Sequence, residues 1–405
     1  MWRSISDKKG VKYLFCIAFF LTLPFLARAQ YGEIHRVTSA SKIESTPFFF
    51  RPPHIRRHHL HGLRRKHSRS PEIPISYTGQ GRNSNVGRDP ITIEHSKSQV
   101  IQSDLFNLYA PDVYTYKGVK CMVSGGWLKS EDQGPDKIYY SEQRPDGTWT
   151  YPEVAFELPG FHVNDPTIIQ HPEHDDWLFM YFTALPDEYA TEKEMTLHNW
   201  VGFASSTTGG KTWDFRGIVI GQDNGFNGSG GAFRMTGAWA PSAIVVGNEI
   251  WVYYHTNQQS DGGKDYTVLR TRFDLNGWRK IGDTEEVKFF SRQEGGLLAD
   301  NHLKINVDVF EQNGKYYMLA NYDSLTNVAI FESKDGITFN QIDGADLLLV
   351  QGGNNMVVTP HGEPVNNEVF NLYFGFGPYL GNDADSEMPG FSHSIHKWEI
   401  HILNK

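Results

Sequence analysis

Asp112, Asp165 and Asp308 each stand at or near the start of a short, β-prone apolar run, in "YAPDVYTY", "VNDPTIIQ" and "INVDVFEQ". His361 and Glu363 hold a similar place in "VTPHGEPV". Several carboxylates gathered at one point are costly to ionise together, which spreads their pKa values and suits paired acid and base work. Cleavage of a glycosidic bond needs such a pair: a protonated carboxylic acid for the leaving oxygen and a carboxylate for water or the anomeric carbon. The plainer reading is that each acid caps backbone amides at the start of its strand.

Residues so far apart in the chain meet only if a repeating architecture brings them together. From about Leu108 the sequence carries five copies of one pattern, the fifth opening being "WAPSAIVV" at Ser242. Each copy continues with an aromatic second strand: "KCMVSGGW", "WLFMYFTA", "IWVYYHTN", "KYYMLANY" and "VFNLYFGF". Each closes with a polar turn and an aromatic that begins an outer strand, at Trp149, Trp213, Trp278, Phe339 and Trp398. Four short strands per unit, five units and no long amphipathic run predict an all-β, five-bladed β-propeller. The first strand of each blade lines a central channel, so the five strand openings face one axis. A segment near Ile91 to His95 is expected to pair with the last strand, "HKWEIHI", and close the circle.

The N-terminus reads differently. Lys8, Lys9 and Lys12 precede an apolar run from Tyr13 to Leu26, and Ala27-Arg28-Ala29 ends it, the pattern of a signal peptide over 1–29. With Cys16 removed, Cys121 is the one remaining cysteine and no internal disulfide can form. Formal charge is +4 over residues 1–30, +7 over 31–70 and −20 over the rest. The stretch from Arg51 to Ser70 has no acid and is crowded with Arg and His, which reads as a solvated tether within a 30–95 linker. Its alternatives are docking to an anionic envelope surface and weak metal binding through His54, His58, His59 and His61. An exported protein with an acidic body disfavours nucleic acid as a partner, and no transmembrane span is expected after cleavage. The propeller is assigned to 96–405.

The stretches "NDPTII", "WAP" and "NVDVFEQNGKYYML" resemble the blade signatures of family 43 of the five-bladed glycoside hydrolases, which holds arabinanases, β-xylosidases and arabinofuranosidases. The resemblance covers about residues 100–405. It implies Asp165 as general base, Trp239-Ala240-Pro241 as the opening of the following blade, and Glu363, in "HGEPV", as the nearest candidate for the general acid. The family's modulating Asp falls on Asn306, with Asp308 two residues later on the same strand face. The family's "EGP" signature is absent, and the register implies a circular permutation.

Candidate catalytic residues are therefore Asp112, Asp165, Asp308 and Glu363, with Asn164 and nearby amides donating to Asp165. Trp127, Trp239, Arg234, His361 and Asn306 are the candidates for binding a sugar, by stacking or by hydrogen bonds. The glycine-rich loop from Asn224 to Gly237 is expected over one mouth of the channel. The turns "SSTTGGKTW" and "SKDGITF" resemble sialidase Asp-boxes, which are structural. No cofactor is expected; "GNDADSE", Gly381 to Glu387, alternates carboxylates as a calcium loop does, so a structural calcium is an option beside a solvated loop. Three functions follow: an exported inverting glycosidase, a non-catalytic carbohydrate-binding propeller, or a structural protein of the envelope.

Overall fold

The computed structural model describes residues 91–402 except 94–98, 103–105, 129–134, 191–194, 222, 228–233, 259–265, 292–295, 298–302, 323–326, 343–346, 349–354, 382–389 and 392. Five sheets, antiparallel except for one parallel pair in the fourth between Lys288–Ser291 and Thr338–Gln341, follow one another along the chain as five blades of a β-propeller. The innermost long strands are Phe106–Tyr116, Phe161–Gln170, Arg234–Val246, Leu303–Gln312 and Asn355–Pro364. Each contacts the next, and the last contacts the first. No α-helix occurs among the described residues, which hold two single-turn 3-10 segments, Asp187–Tyr189 and Met195–His198.

The second strand of each blade is mostly buried because it is covered on both faces by neighbouring blades; Leu178–Pro186 is buried at every position. Five buried apolar clusters result, one in each seam between blades. Ile91–Ile93 pairs antiparallel with Ser394–Ile402 in the fifth blade, and Gln99–Gln102 pairs with the same strand. The two ends of the ring are thus joined by backbone hydrogen bonds, as expected, and the sheet takes in residues ahead of 96. Propellers leave few edges because closure pairs the strands that would otherwise be free.

One closing differs from expectation. Trp398 lies inside the third strand of the fifth blade, because Ile91–Ile93 supplies the outer strand there. Trp278 is 59% exposed, whereas Trp149, Trp213, Phe339 and Trp398 are buried. The Asp-box-like turns are structural: Ser206 Oγ accepts from the N–H of Gly210, Ser333 Oγ from that of Gly336, and Tyr253 of the neighbouring blade donates to the Gly336 carbonyl.

Gly126 shows how tight the packing is. Its φ is +129°, and a Cβ there would stand 1.9 Å from the Asn107 carbonyl oxygen. Gly126→Ala is expected to destabilise the fold on the order of 3 kcal/mol or more, read by urea unfolding; a loss below about 1 kcal/mol would show that the strand pair can part there.

Candidate functional site

One irregularity recurs in all five inner strands. Ala110, Asp165, Ala240, Asn306 and Thr359 have φ of 50°, 46°, 47°, 64° and 45°, and each sits where pairing with the second strand slips. Such bulges turn a side chain out of the strand's alternation. Pro111, Pro166, Pro241 and Pro360 follow four of them, and a residue lacking N–H fits a break in the ladder. Equivalent positions are therefore Ala110, Asp165, Ala240, Asn306 and Thr359 at the mouth level. Asp112, Thr167, Ser242, Asp308 and His361 form the next level down.

This register corrects the expectation that Asp112, Asp165 and Asp308 converge at one height, since Asp165 stands one level above the other two. At the lower level each side chain bonds the backbone of the following blade. Asp112 Oδ2 accepts from Ile168 N–H (3.1 Å), Thr167 Oγ1 from Ala243 N–H (3.2 Å), Ser242 Oγ from Val309 N–H (2.8 Å) and Asp308 Oδ2 from Gly362 N–H (2.7 Å). His361 Nε2 meets the Val113 carbonyl at 3.1 Å and completes the circle. Ser242 also donates to Asp308 Oδ1 at 2.9 Å. The five residues make a girdle of inter-blade caps, so the structural reading holds at this level.

Glu363 lies further down the same strand. It faces Lys120 Nζ at 2.6 Å and accepts from Asn371 Nδ2 and Tyr373 Oη. Burial pushes its carboxyl up, but Lys120 and these donors outweigh that and hold it below the usual range. Four residues separate it from Thr359 of the mouth level, a rise of roughly 13 Å. Asp112, Asp308, His361 and Glu363 instead line a cavity of about 320 Å³ on the far side of the girdle, with Ile169, Ile244 and Phe310 among its apolar walls.

At the mouth Asp165 is 9% exposed. Thr183 Oγ1 donates to its Oδ2 at 3.0 Å and Thr359 Oγ1 to its Oδ1 at 3.2 Å. The second bond spans the axis, joining the second blade to the fifth. Burial raises the Asp165 carboxyl to about 6 against the pull of both hydroxyls, and the charge of Asp136 adds to the rise. Asn164 does not serve Asp165: its Nδ2 reaches Tyr109 Oη (3.1 Å) and Asp136 Oδ2 (3.3 Å). Tyr109 donates to Asp136 Oδ2 at 2.9 Å, and His162 Nδ1 accepts from Asp136 N–H at 3.1 Å. Oδ1 of Asp136 and Oδ1 of Asn164 are buried without a partner.

Of the residues expected to bind sugar, Trp127 is partly buried, pairs across the strands with Asn107, and has an unpartnered Nε1. Trp239 is 4% exposed and its ring stacks on His255, which removes it as an open platform. His255 Nε2 accepts from Val307 N–H, so its hydrogen is on Nδ1, and burial pushes the ring down to about 3. Asn306 takes the mouth-level bulge of the fourth blade, and His361 belongs to the girdle. Arg234 begins an inner strand, but its side chain lies outside the described residues, as do 228–233 of the glycine-rich loop and 382–389 of the carboxylate loop. Among the described residues no three His, Cys, Asp or Glu side chains are grouped to hold a metal.

Sequence reasoning missed Asp136, Tyr109, Thr183 and Thr359. Thr359 was within reach, since Thr-Pro in "VTPHGE" matches Asp-Pro in "NDPTII" and Ala-Pro in "WAPSAI". Asp136, in "GPDKIYY", has no local signal because its partners are far away in the chain.

No protein-family profile and no curated protein matches the chain. Solved structures do. A GH43_1 enzyme from Xanthomonas citri superposes with a TM-score of 0.53 at 10% identity over 74% of this chain and 89% of that one. An N-acetylgalactosamine deacetylase from F. plautii gives 0.53 at 13% over 78% and 94%. A β-xylosidase gives 0.51 at 11% over 73% and 92%. The chain is a five-bladed β-propeller with the fold of the family 43 glycoside hydrolases. That fold also carries a deacetylase, so the reaction has to be read from the site.

Proposed function

We propose that the protein binds a saccharide at the mouth of the propeller and that Asp165 is the carboxylate that meets it. One observation carries the reading: of the four acids in the inner strands expected to act, only Asp165 lies at the mouth level, while Asp112 and Asp308 cap blades and Glu363 is ion-paired below. A single buried carboxylate flanked by the hydroxyls of Thr183 and Thr359 at the mouth suits recognition of sugar hydroxyls. Structures of this fold bound to xylose and to blood group B trisaccharide support the ligand class.

Hydrolysis is the second reading, favoured by the rise of the Asp165 carboxyl to about 6 and by the charge of Asp136 near it, which together give one base and one further carboxyl. A panel of xylo-, arabino- and galacto-oligosaccharides assayed by calorimetry and by release of reducing ends separates the two. Heat of binding without release establishes recognition alone. Release that Asp165→Asn abolishes establishes the hydrolase. Neither heat nor release on any glycan would overturn both.

We also propose that residues 1–29 direct export to the periplasm or beyond and that the basic stretch from Arg51 to Ser70 meets an anionic envelope surface. Fractionation of the full chain beside one lacking 1–29 tests the first, and co-sedimentation with anionic against neutral vesicles tests the second. Retention of the full chain in the cytoplasm, or equal sedimentation with both vesicles, would refute them.

A further inference from the structure

Four of the five girdle bonds are made by side-chain acceptors to an N–H of the next blade. The fifth is reversed. His361 Nε2 faces the Val113 carbonyl at 3.1 Å, and a carbonyl only accepts, so Nε2 carries a hydrogen. Nδ1 lies 3.6 Å from Asp112 Oδ2 and 3.4 Å from Asp308 Oδ2, again acceptors. A ring with both nitrogens facing acceptors is satisfied as imidazolium. It stands at the seam between the fifth and first blades, whose apolar cluster is the smallest of the five among the described residues.

The same strand and the same carboxylate support Asp165. Thr359, two residues before His361, donates to Asp165 Oδ1. Asp112, beside the imidazole, holds the N–H of Ile168, three residues after Asp165. A shift of His361 therefore moves Thr359, one of the two hydroxyls that hold the mouth carboxylate, and the Asp112 contact that fixes the strand after Asp165. Thr359 is β-branched with φ of 45°, a costly conformation that persists only where its surroundings fix it.

We propose that His361, doubly protonated and clamped between Asp112 and Asp308, is the positioning residue of the Asp165 mouth, and that loss of its charge in alkaline solution loosens that mouth. The functional half of this rests on the reading that Asp165 meets a saccharide; the clamp itself does not.

The charged and titratable groups around the imidazole are few. Asp112 faces it from the first blade and Asp308 from the fourth, and the second and third blades present uncharged Thr167 and Ser242. From its own blade comes Tyr373, its ring centre 6.3 Å away, with its hydroxyl on Glu363. Burial and the Glu363 charge push that phenol well above its ordinary value, so it stays protonated while His361 titrates. Burial alone would push the imidazole down, but the two carboxylates reverse this and lift it to about 10. Its stabilising contribution is complete below the ordinary histidine value and is lost as the pH rises through about 10.

Imidazole 15N NMR of the full chain labelled at histidine, with His361→Gln assigning the signal, reads the charge directly. One ring should remain protonated on both nitrogens up to about pH 9, well past the ordinary histidine value of about 6.5; a neutral His361 at neutral pH would overturn the clamp. Asp112→Asn keeps an acceptor for Ile168 and removes one counter-charge, so the His361 midpoint should fall by about one pH unit or more. An unchanged midpoint would count against it. Hydrogen exchange reads the positioning: peptides covering 165–170 and 359–364 should exchange about tenfold faster or more in either variant, while Glu249–Gln258 keeps its protection. Equal loss of protection everywhere would reduce His361 to a general stabiliser. If NMR and exchange behave as expected and wild-type protein binds no saccharide, the functional reading falls and the clamp stands. Saccharide binding that Asp165→Asn abolishes and His361→Gln leaves unchanged would leave the function and remove the positioning role.

Discussion

Asp165→Asn should melt above the wild type at about pH 8, coincide with it near about pH 4, and lose most of its saccharide affinity. The carboxyl is raised to about 6 by burial, against an ordinary value of about 3.9 in an unfolded chain. Between those values the folded protein holds a proton that the unfolded chain has released. The site's contribution to stability is therefore complete at low pH and is lost as the pH rises through about 6. A rise of that size corresponds to about 3 kcal/mol, or roughly 4 to 8 °C in a domain of this size. Asparagine adopts the left-handed conformation that position 165 requires more readily than most residues, and its amide can still bond Thr183 and Thr359. Stability gained where affinity falls about tenfold or more is the signature of a carboxylate kept for function against the preference of the fold. Thermal melts at several pH values and calorimetry on the same samples check it. A variant that melts lower at about pH 8 would make Asp165 a structural cap.

Asp308→Ala should be the most damaging single change in the girdle. Both oxygens of Asp308 are engaged, by Ser242 Oγ at 2.9 Å and by Gly362 N–H at 2.7 Å, and Oδ2 also faces the imidazole of His361. Truncation leaves a buried donor on each neighbouring blade and removes one of the two charges that hold the imidazolium. Breaking a buried charged network from one side costs about 3 to 5 kcal/mol. Thr167→Val removes the inter-blade bond to Ala243 N–H and the hydroxyl's bond to Asp112 but no charge, and should cost about 1 to 3 kcal/mol. Urea unfolding of the two variants beside wild type measures the contrast. Equal losses would show that the girdle's charges add nothing to its hydrogen bonds.

Local chemistry made much of this architecture legible in the sequence. Alternating apolar residues mark strands with one buried face, and apolar, aromatic second strands mark strands buried on both, so five blades could be counted from periodicity alone. Asp165 was legible for a related reason: residue-Pro before an apolar run marks the bulge in four of the five inner strands, and only the second carries an acid at that place. What the periodicity could not supply was the height of each side chain along the axis. A bulge shifts alternation by one residue, and whether Asp112 and Asp165 share a level depends on where each strand slips against its neighbour. Only the assembled ring settled that, placing Asp112 and Asp308 under the mouth as caps and Glu363 deeper beside Lys120. The partners of Asp165 were equally hidden. Thr183 comes from the second strand of its own blade and Thr359 from across the axis, 194 residues away. Asp136 and Tyr109 find Asn164 across a seam for the same reason. Strand type and turn position are set by neighbours in sequence, whereas the ionisation and bonding of a buried group are set by neighbours in space, and in a closed ring those come from distant parts of the chain.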